Sequence, residues 1–212
     1  MAGASSRLAV GALEGLPFAG KSSSCRFLKE RWPQTLLLPD YHDLLPVKRR
    51  GALAEAPDSS AEQRARIETY LELDRSRWQK ALNAKAGPIV LDRCHVSLTA
   101  YAVALEPWIG AAASRESIDR IERALYDPAH PLREPTVIVY LQMSAEIASE
   151  RCRTHATMMQ ESLRTVDFAR RLIDAYEQAL ANVPSEVVRC SSEQPLDRLQ
   201  ADVATTLRAR IP

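Results

Sequence analysis

Residues Gly15-Leu16-Pro17-Phe18-Ala19-Gly20-Lys21-Ser22 follow the spacing GxxxxGKS, and Ser23 continues the polar run. That spacing suits phosphate, because a loop of this kind aims backbone N–H groups and a helix N-terminus at phosphate oxygens. Gly15 and Gly20 permit backbone geometry and close approach that a Cβ obstructs. Lys21 carries a charge toward the β- and γ-phosphates, and the Ser22 hydroxyl is a ligand for Mg²⁺. Pro17, Phe18, Ala19 and Ser23 complete the stretch that wraps the anion. The implied nucleotide is ATP, with GTP open, since such a loop does not read the base.

Two further groups lie where an acceptor would have to sit. Asp92 and Arg93 end the apolar run Pro88-Ile89-Val90-Leu91, which places them at the sheet edge where α/β folds bind ligands. Asp92 can organise Mg²⁺ through its water or orient an acceptor, and Arg93 offers a planar donor fork to an anionic or polar group. The plainer reading is a salt bridge that caps the next helix. Asp40, in Leu38-Pro39-Asp40-Tyr41, reads as a turn cap, with Asp43 three residues on. His95 reads as a packed neutral histidine.

These residues need a scaffold, and short apolar runs supply one. Leu8–Val10, Thr35–Leu38, Pro88–Leu91, Thr136–Leu141 and Glu186–Val188 lack polar alternation, as strands buried on both faces do. Helical patterns separate them, which predicts a doubly wound α/β fold with a five-stranded parallel sheet. Ile67, Leu71, Trp78 and Leu82 make one helical stripe, Phe168, Leu172, Tyr176 and Leu180 a second, and Leu196, Leu199, Val203 and Leu207 a third. Residues 46–60 and 126–135 read as loops from their Pro, Gly, Ser and charge content.

Composition narrows the partners. The 212 residues are 46% hydrophobic and 26% charged with a net charge of +1, which argues against a dedicated nucleic-acid binder. No apolar stretch reaches the roughly 20 residues of a membrane span, and the N-terminal sequence lacks the pattern of a secretory leader, so a cytoplasmic protein is expected. Cys25, Cys94, Cys152 and Cys190 lack CxxC spacing and read as plain thiols.

The motifs together resemble the P-loop nucleoside and nucleotide kinases, with thymidylate kinase the most similar family. EGLPFAGKSS is similar to that family's EGxDGxGKST, and DRCHVSLTAY to its DRxxxSxxAYQ. VIVYLQMSAEIASERCR resembles its YLDVxPExAxxRxxxR approach to the lid, and QESLRTVDFARRLIDAY the helix that follows. The resemblance implies a single domain over 1–212 with a lid around 151–164, transfer of the ATP γ-phosphate with Mg²⁺, and a homodimer. It also implies that Arg93 contacts the acceptor, that Ser97 and Tyr101 line its pocket, and that Arg151 and Arg153 act at the lid.

Three departures bear on the acceptor. The family's REPG is replaced by Leu38-Pro39-Asp40-Tyr41, its glutamine after AY by Ala102, and its lid DR pair is missing from ERCRTHATMMQES. Pro39-Asp40-Tyr41 is also similar to the PEP turn of deoxynucleoside kinases, whose glutamate is the base for the 5′-hydroxyl, and their ERS resembles Asp92-Arg93-Cys94; this likeness implies Asp40 as a general base beside Arg93, with Asp43 as its competitor. Three functions follow: a kinase for a nucleoside or nucleoside monophosphate, a kinase for a hydroxyl of another small molecule such as a nucleoside-like antibiotic, or a nucleotide-binding regulator without transfer chemistry. Lys48-Arg49-Arg50 and Arg164 either supply the missing positive charge or are solvated.

Overall fold

The computed structural model describes residues 9–46, 50, 55–84, 87–127, 132–155 and 159–211. Five parallel strands form the sheet: β1 (Val10–Gly15), β2 (Leu36–Leu38), β3 (Ile89–Asp92), β4 (Val137–Gln142) and β5 (Glu186–Ser191). Their order is β2-β3-β1-β4-β5, so β1 is central and the chain reverses direction across the sheet beside it. The carboxyl ends of β1 and β3 lie side by side near the centre, on the edge at which such sheets bind ligands.

The helices are α1 (Lys21–Arg31), α2 (Tyr41–Leu44), α3 (Ser60–Leu82), α4 (His95–Ala104), α5 (Glu106–Ile109), α6 (Ala111–Tyr126), α7 (Ala145–His155), α8 (Val166–Ala181) and α9 (Leu196–Arg208). α1 packs on α9, while α4 packs on α6 and α8. Alternation along β1 assigns its residues to these layers. Gly11 leaves room for Leu207 and Ile211 at the α9 end, and Glu14, of opposite parity, meets Ser97 of α4 and Tyr176 of α8. A polar carboxylate is thereby buried within a strand that is otherwise apolar.

Several expected boundaries shift. The first strand was expected at Leu8–Val10, but it runs through Val10–Gly15, because parallel partners on both sides carry the ladder into Gly11, Ala12 and Glu14; Leu8 lies outside the described residues. β3 and β4 each begin and end one residue later than their apolar runs, and β5 continues to Ser191. Leu82 and Leu196 are exposed, since each stands at a helix end beyond its packing partner. The remaining stripe residues are buried. No helix among the described residues is long and apolar enough to cross a membrane.

Gly15 tests how tightly the central strand is fitted. Its φ is +138°, and a Cβ there would stand 2.6 Å from the Leu141 carbonyl oxygen on β4. Gly15→Ala is expected to destabilise the fold by about 2–4 kcal/mol through backbone strain and overpacking. Urea unfolding of the two proteins measures it.

Candidate active site

The donor side begins where β1 ends. Gly20 has φ 95° and caps α1 without a side-chain bond, and the first turn of α1 holds no acidic residue. The helix N-terminus therefore presents N–H groups and positive dipole with no internal anion to satisfy them. Lys21 is buried under this turn, where its Nζ donates to the Gly15 oxygen at 2.9 Å and the Leu16 oxygen at 2.7 Å. Both are backbone carbonyls of the loop itself, so the ammonium is held at the centre of the arc. Pro17, Phe18 and Ala19 form its crest, with Ser22 and Ser23 on the opening turn of α1.

Phe18 has φ 60°, a left-handed conformation, at the position where the resembling motif carries glycine. Such a conformation costs a bulky residue on the order of 1–3 kcal/mol. Its ring is largely exposed and lies 5.7 Å from that of His155. Arg151 donates through Nη1 to the Phe18 oxygen at 3.2 Å and through Nη2 to the Ser192 oxygen at 3.0 Å. Arg151 thus ties the loop crest to the turn after β5.

Ser22 and Asp92 meet across the loop, Oγ donating to Oδ2 at 2.8 Å. The other carboxylate oxygen, Oδ1, is buried without a hydrogen-bond partner among the described residues. Burial raises the Asp92 pKa, against the pull of Lys21. A hydroxyl beside an orphaned carboxylate oxygen is a donor set that fits Mg²⁺, which binds through one or two carboxylates, waters and substrate phosphates. Ser22 and Asp92 would hold it.

Arg93 occupies the centre of the acceptor side. It too has positive φ, 69°, and is almost fully buried. Nε donates to Asp40 Oδ2 at 2.7 Å, and Nη1 to the Gly15 oxygen at 3.1 Å, Ser97 Oγ at 3.0 Å and Tyr176 Oη at 2.9 Å. Its guanidinium lies 5.9 Å from the centre of the Tyr101 ring. Asp40 caps α2, Oδ1 accepting from the His42 N–H, while Oδ2 accepts from Arg93. Burial pushes its pKa up, but Arg93 and then Lys21 outweigh that and hold it below the ordinary value.

Other expected residues are placed differently. Ser97 is buried behind Arg93, in contact with Glu14 and Tyr176, and Tyr101 is half-buried beside Phe168. Asp43 is exposed, and its carbonyl accepts from Arg50. Arg153 is exposed and lines a cavity of 450 Å³ with Ser149, Glu161 and Arg164. Lys48 and Arg49 lie outside the described residues, as do 156–158 of the expected lid. His95 is buried 3.3 Å from Glu134, and burial lowers its pKa to about 4, which keeps it neutral. All four cysteines are buried thiols.

Glu14 and Tyr176 were not legible as site residues. Glu14 Oε1 accepts from the N–H groups of Cys94 at 2.7 Å and Ser97 at 3.3 Å, so a carboxylate from β1 caps α4 from outside. The glutamate before Gly15 was the available signal. Tyr176 read only as one member of an apolar stripe, which hides its hydroxyl.

No family model matches the chain, and no curated protein sequence matches it significantly. Two solved structures of deoxyadenosine kinase from M. mycoides do match in shape. Their TM-scores are 0.70 and 0.73 at 14% and 15% identity, each covering 94% of this chain and 99% of the other. The chain shares its fold with a nucleoside kinase. The first neighbour holds dCMP and dCDP as products, and the second holds dATP. The parallel sheet brings the loop at 15–22, Asp40 and the Asp92-Arg93 pair together at one end of this chain.

Lys21 gives the site a pH dependence. Burial first, then the Arg93 charge, lowers its pKa to about 8, against Asp92, Asp40 and Glu14. Only the protonated form attracts phosphate, so charge is lost as pH rises through that value. Because kcat/KM reports ionisations of the free protein, its value for ATP is expected to fall above pH 8, approaching tenfold per pH unit. A pH series of initial rates, or of ATP affinity, checks this.

Proposed function

We propose that the protein is an ATP-dependent kinase that transfers the γ-phosphate to a nucleoside hydroxyl. The observation that carries this reading is the Asp40–Arg93 contact of 2.7 Å beside the buried Lys21. A phosphate acceptor is already anionic and needs cationic clamps more than a base. A sugar hydroxyl needs a carboxylate to take its proton. Here the acceptor side offers an acid, and the arginine that thymidylate kinase-like sequences carry before it is Pro39. The deoxyadenosine kinase neighbours support the same acceptor class.

In this reaction Asp40 takes the hydroxyl proton as that oxygen bonds to the γ-phosphorus, and the bond to the β–γ bridging oxygen breaks to leave ADP. Arg93 and Lys21 hold Asp40 ionised, the state a base requires. Lys21 and the N–H groups at the start of α1 stabilise charge on the transferring phosphoryl group. Arg151, whose Nη1 donates to the Phe18 carbonyl at the loop crest, adds positive charge there from the lid side. Ser22 and Asp92 would hold Mg²⁺, which when bound supplies neutralisation of phosphate charge.

Release of ADP in a panel of nucleosides, nucleoside monophosphates and other hydroxyl compounds tests the acceptor. Nucleosides are expected to raise the rate above background; stimulation by another hydroxyl compound alone would overturn the reading. Lys21→Ala is expected to lower kcat by about 10²–10³, since a preorganised charge on the transition state is removed. Asp40→Asn is expected to lower kcat by about 10²–10⁴ while acceptor KM stays within a few fold. Unchanged kcat in that variant would return Asp40 to capping α2.

A further inference from the structure

α3 contributes a buried pair, Asp74 and Arg77, that the reaction above does not use. Arg77 is 1% exposed and Asp74 0%, so neither touches a substrate. Arg77 Nη1 donates to Asp74 Oδ1 at 3.1 Å. Its Nη2 donates to two consecutive backbone oxygens, those of Asp92 at 3.0 Å and Arg93 at 2.6 Å. The same guanidinium stacks 4.6 Å from the centre of the Tyr41 ring, and Tyr41 is the residue after Asp40. One buried cation therefore touches both halves of the acceptor site from behind.

The two halves need such a tie. Arg93 adopts φ 69°, a conformation that persists only where its surroundings over-determine it. The paired carbonyl contacts of Arg77 fix the peptide on either side of that residue. On the other half, the short α2 is held by the Asp40 cap and by the packing of Tyr41 against Tyr70 and Arg77. Lysine could not replace this arrangement, because its point charge lacks the planar fork that bonds two carbonyls and stacks on a ring together.

We infer that Arg77 is a positioning residue, anchored by Asp74, that sets the separation of Asp40 from Arg93. This rests on the kinase reading for its kinetic consequence and on geometry alone for its structural one. Arg77 makes no hydrogen bond to Lys21 or Gly20 among the described residues and reaches the donor side only through the Asp92 carbonyl, so ATP binding without Mg²⁺ separates its acceptor-side effect from any effect on the ion.

The test is the paired variant Asp74→Leu/Arg77→Met, which removes both charges and so avoids a buried unpaired ion. Arg77→Lys keeps the charge beside Asp74 and removes the planar fork. With the fold verified by cooperative melting and assays run well below Tm, kcat with a nucleoside is expected to fall about hundredfold, as for misplacement far from the chemistry. ATP affinity measured without Mg²⁺ is expected to stay within threefold, and Arg77→Lys to lie between the two. A second readout needs no activity: the carboxyl ¹³C titration of Asp40 is expected below the ordinary aspartate range in the parent protein and back toward it in the paired variant. If the parent phosphorylates no nucleoside, the kinase reading fails and the titration alone decides the role of Arg77. A folded paired variant with an unmoved Asp40 titration overturns it, and so does parental kcat in an active enzyme.

Discussion

Burying the Arg93 guanidinium imposes a constraint that much of the site satisfies. An arginine does not shed its charge, so each N–H placed in the interior must meet an oxygen. Asp40 supplies one to Nε, and Gly15, Ser97 and Tyr176 supply three to Nη1, from α2, β1, α4 and α8. Four elements are thereby joined at one side chain, and the joint stands between the loop for phosphate and the acid on the acceptor side. The same contact explains why Asp40 stays ionised in spite of its burial.

Glu14 stands behind this joint. Its carboxylate accepts from two backbone N–H groups at the start of α4 and from Ser97 Oγ, while Ser97 Oγ also faces Arg93. Charge alternates through the centre, from Glu14 through Arg93 to Asp40, and again from Lys21 to Asp92. Neighbouring opposite charges let a crevice between packed strands hold five ionisable groups, because each supplies what water would otherwise provide. Strain gathers in the same place: Phe18 and Arg93, the non-glycine residues with positive φ among those described, flank the donor and acceptor sides. A loop and a turn held in uncommon conformations are preorganised, so less reorganisation is left for the moment of reaction.

The acceptor side is also where the chain departs most from the thymidylate kinase-like pattern. Pro39 removes an arginine, and Asp40 turns toward Arg93 in its place. Around the pair, Tyr70 and Tyr101 are half-buried, and Phe168 and Trp108 continue the aromatic wall from Tyr101. Half-buried rings near a charged pair are in keeping with the nucleoside acceptor proposed above.

The sequence by itself determined the parallel α/β class, and it supplied the GxxxxGKS loop, Asp40, Asp92 and Arg93 as candidate groups. These are local facts: a motif of eight adjacent residues, apolar runs without alternation, and charges at the ends of such runs. Tertiary structure decided which charge meets which. Asp40 and Arg93 stand 53 positions apart, Glu14 and Tyr176 162, and no spacing rule links them. Asp43 matched Asp40 in type and nearly in position, yet the turn of α2 leaves it exposed. Arg77 and Asp74 looked like ordinary charges on a helix; only the packing of α3 behind both strand ends buries them where they hold the backbone of Arg93. Pairings of this kind depend on where the sheet brings distant segments together, and a linear pattern does not carry that information.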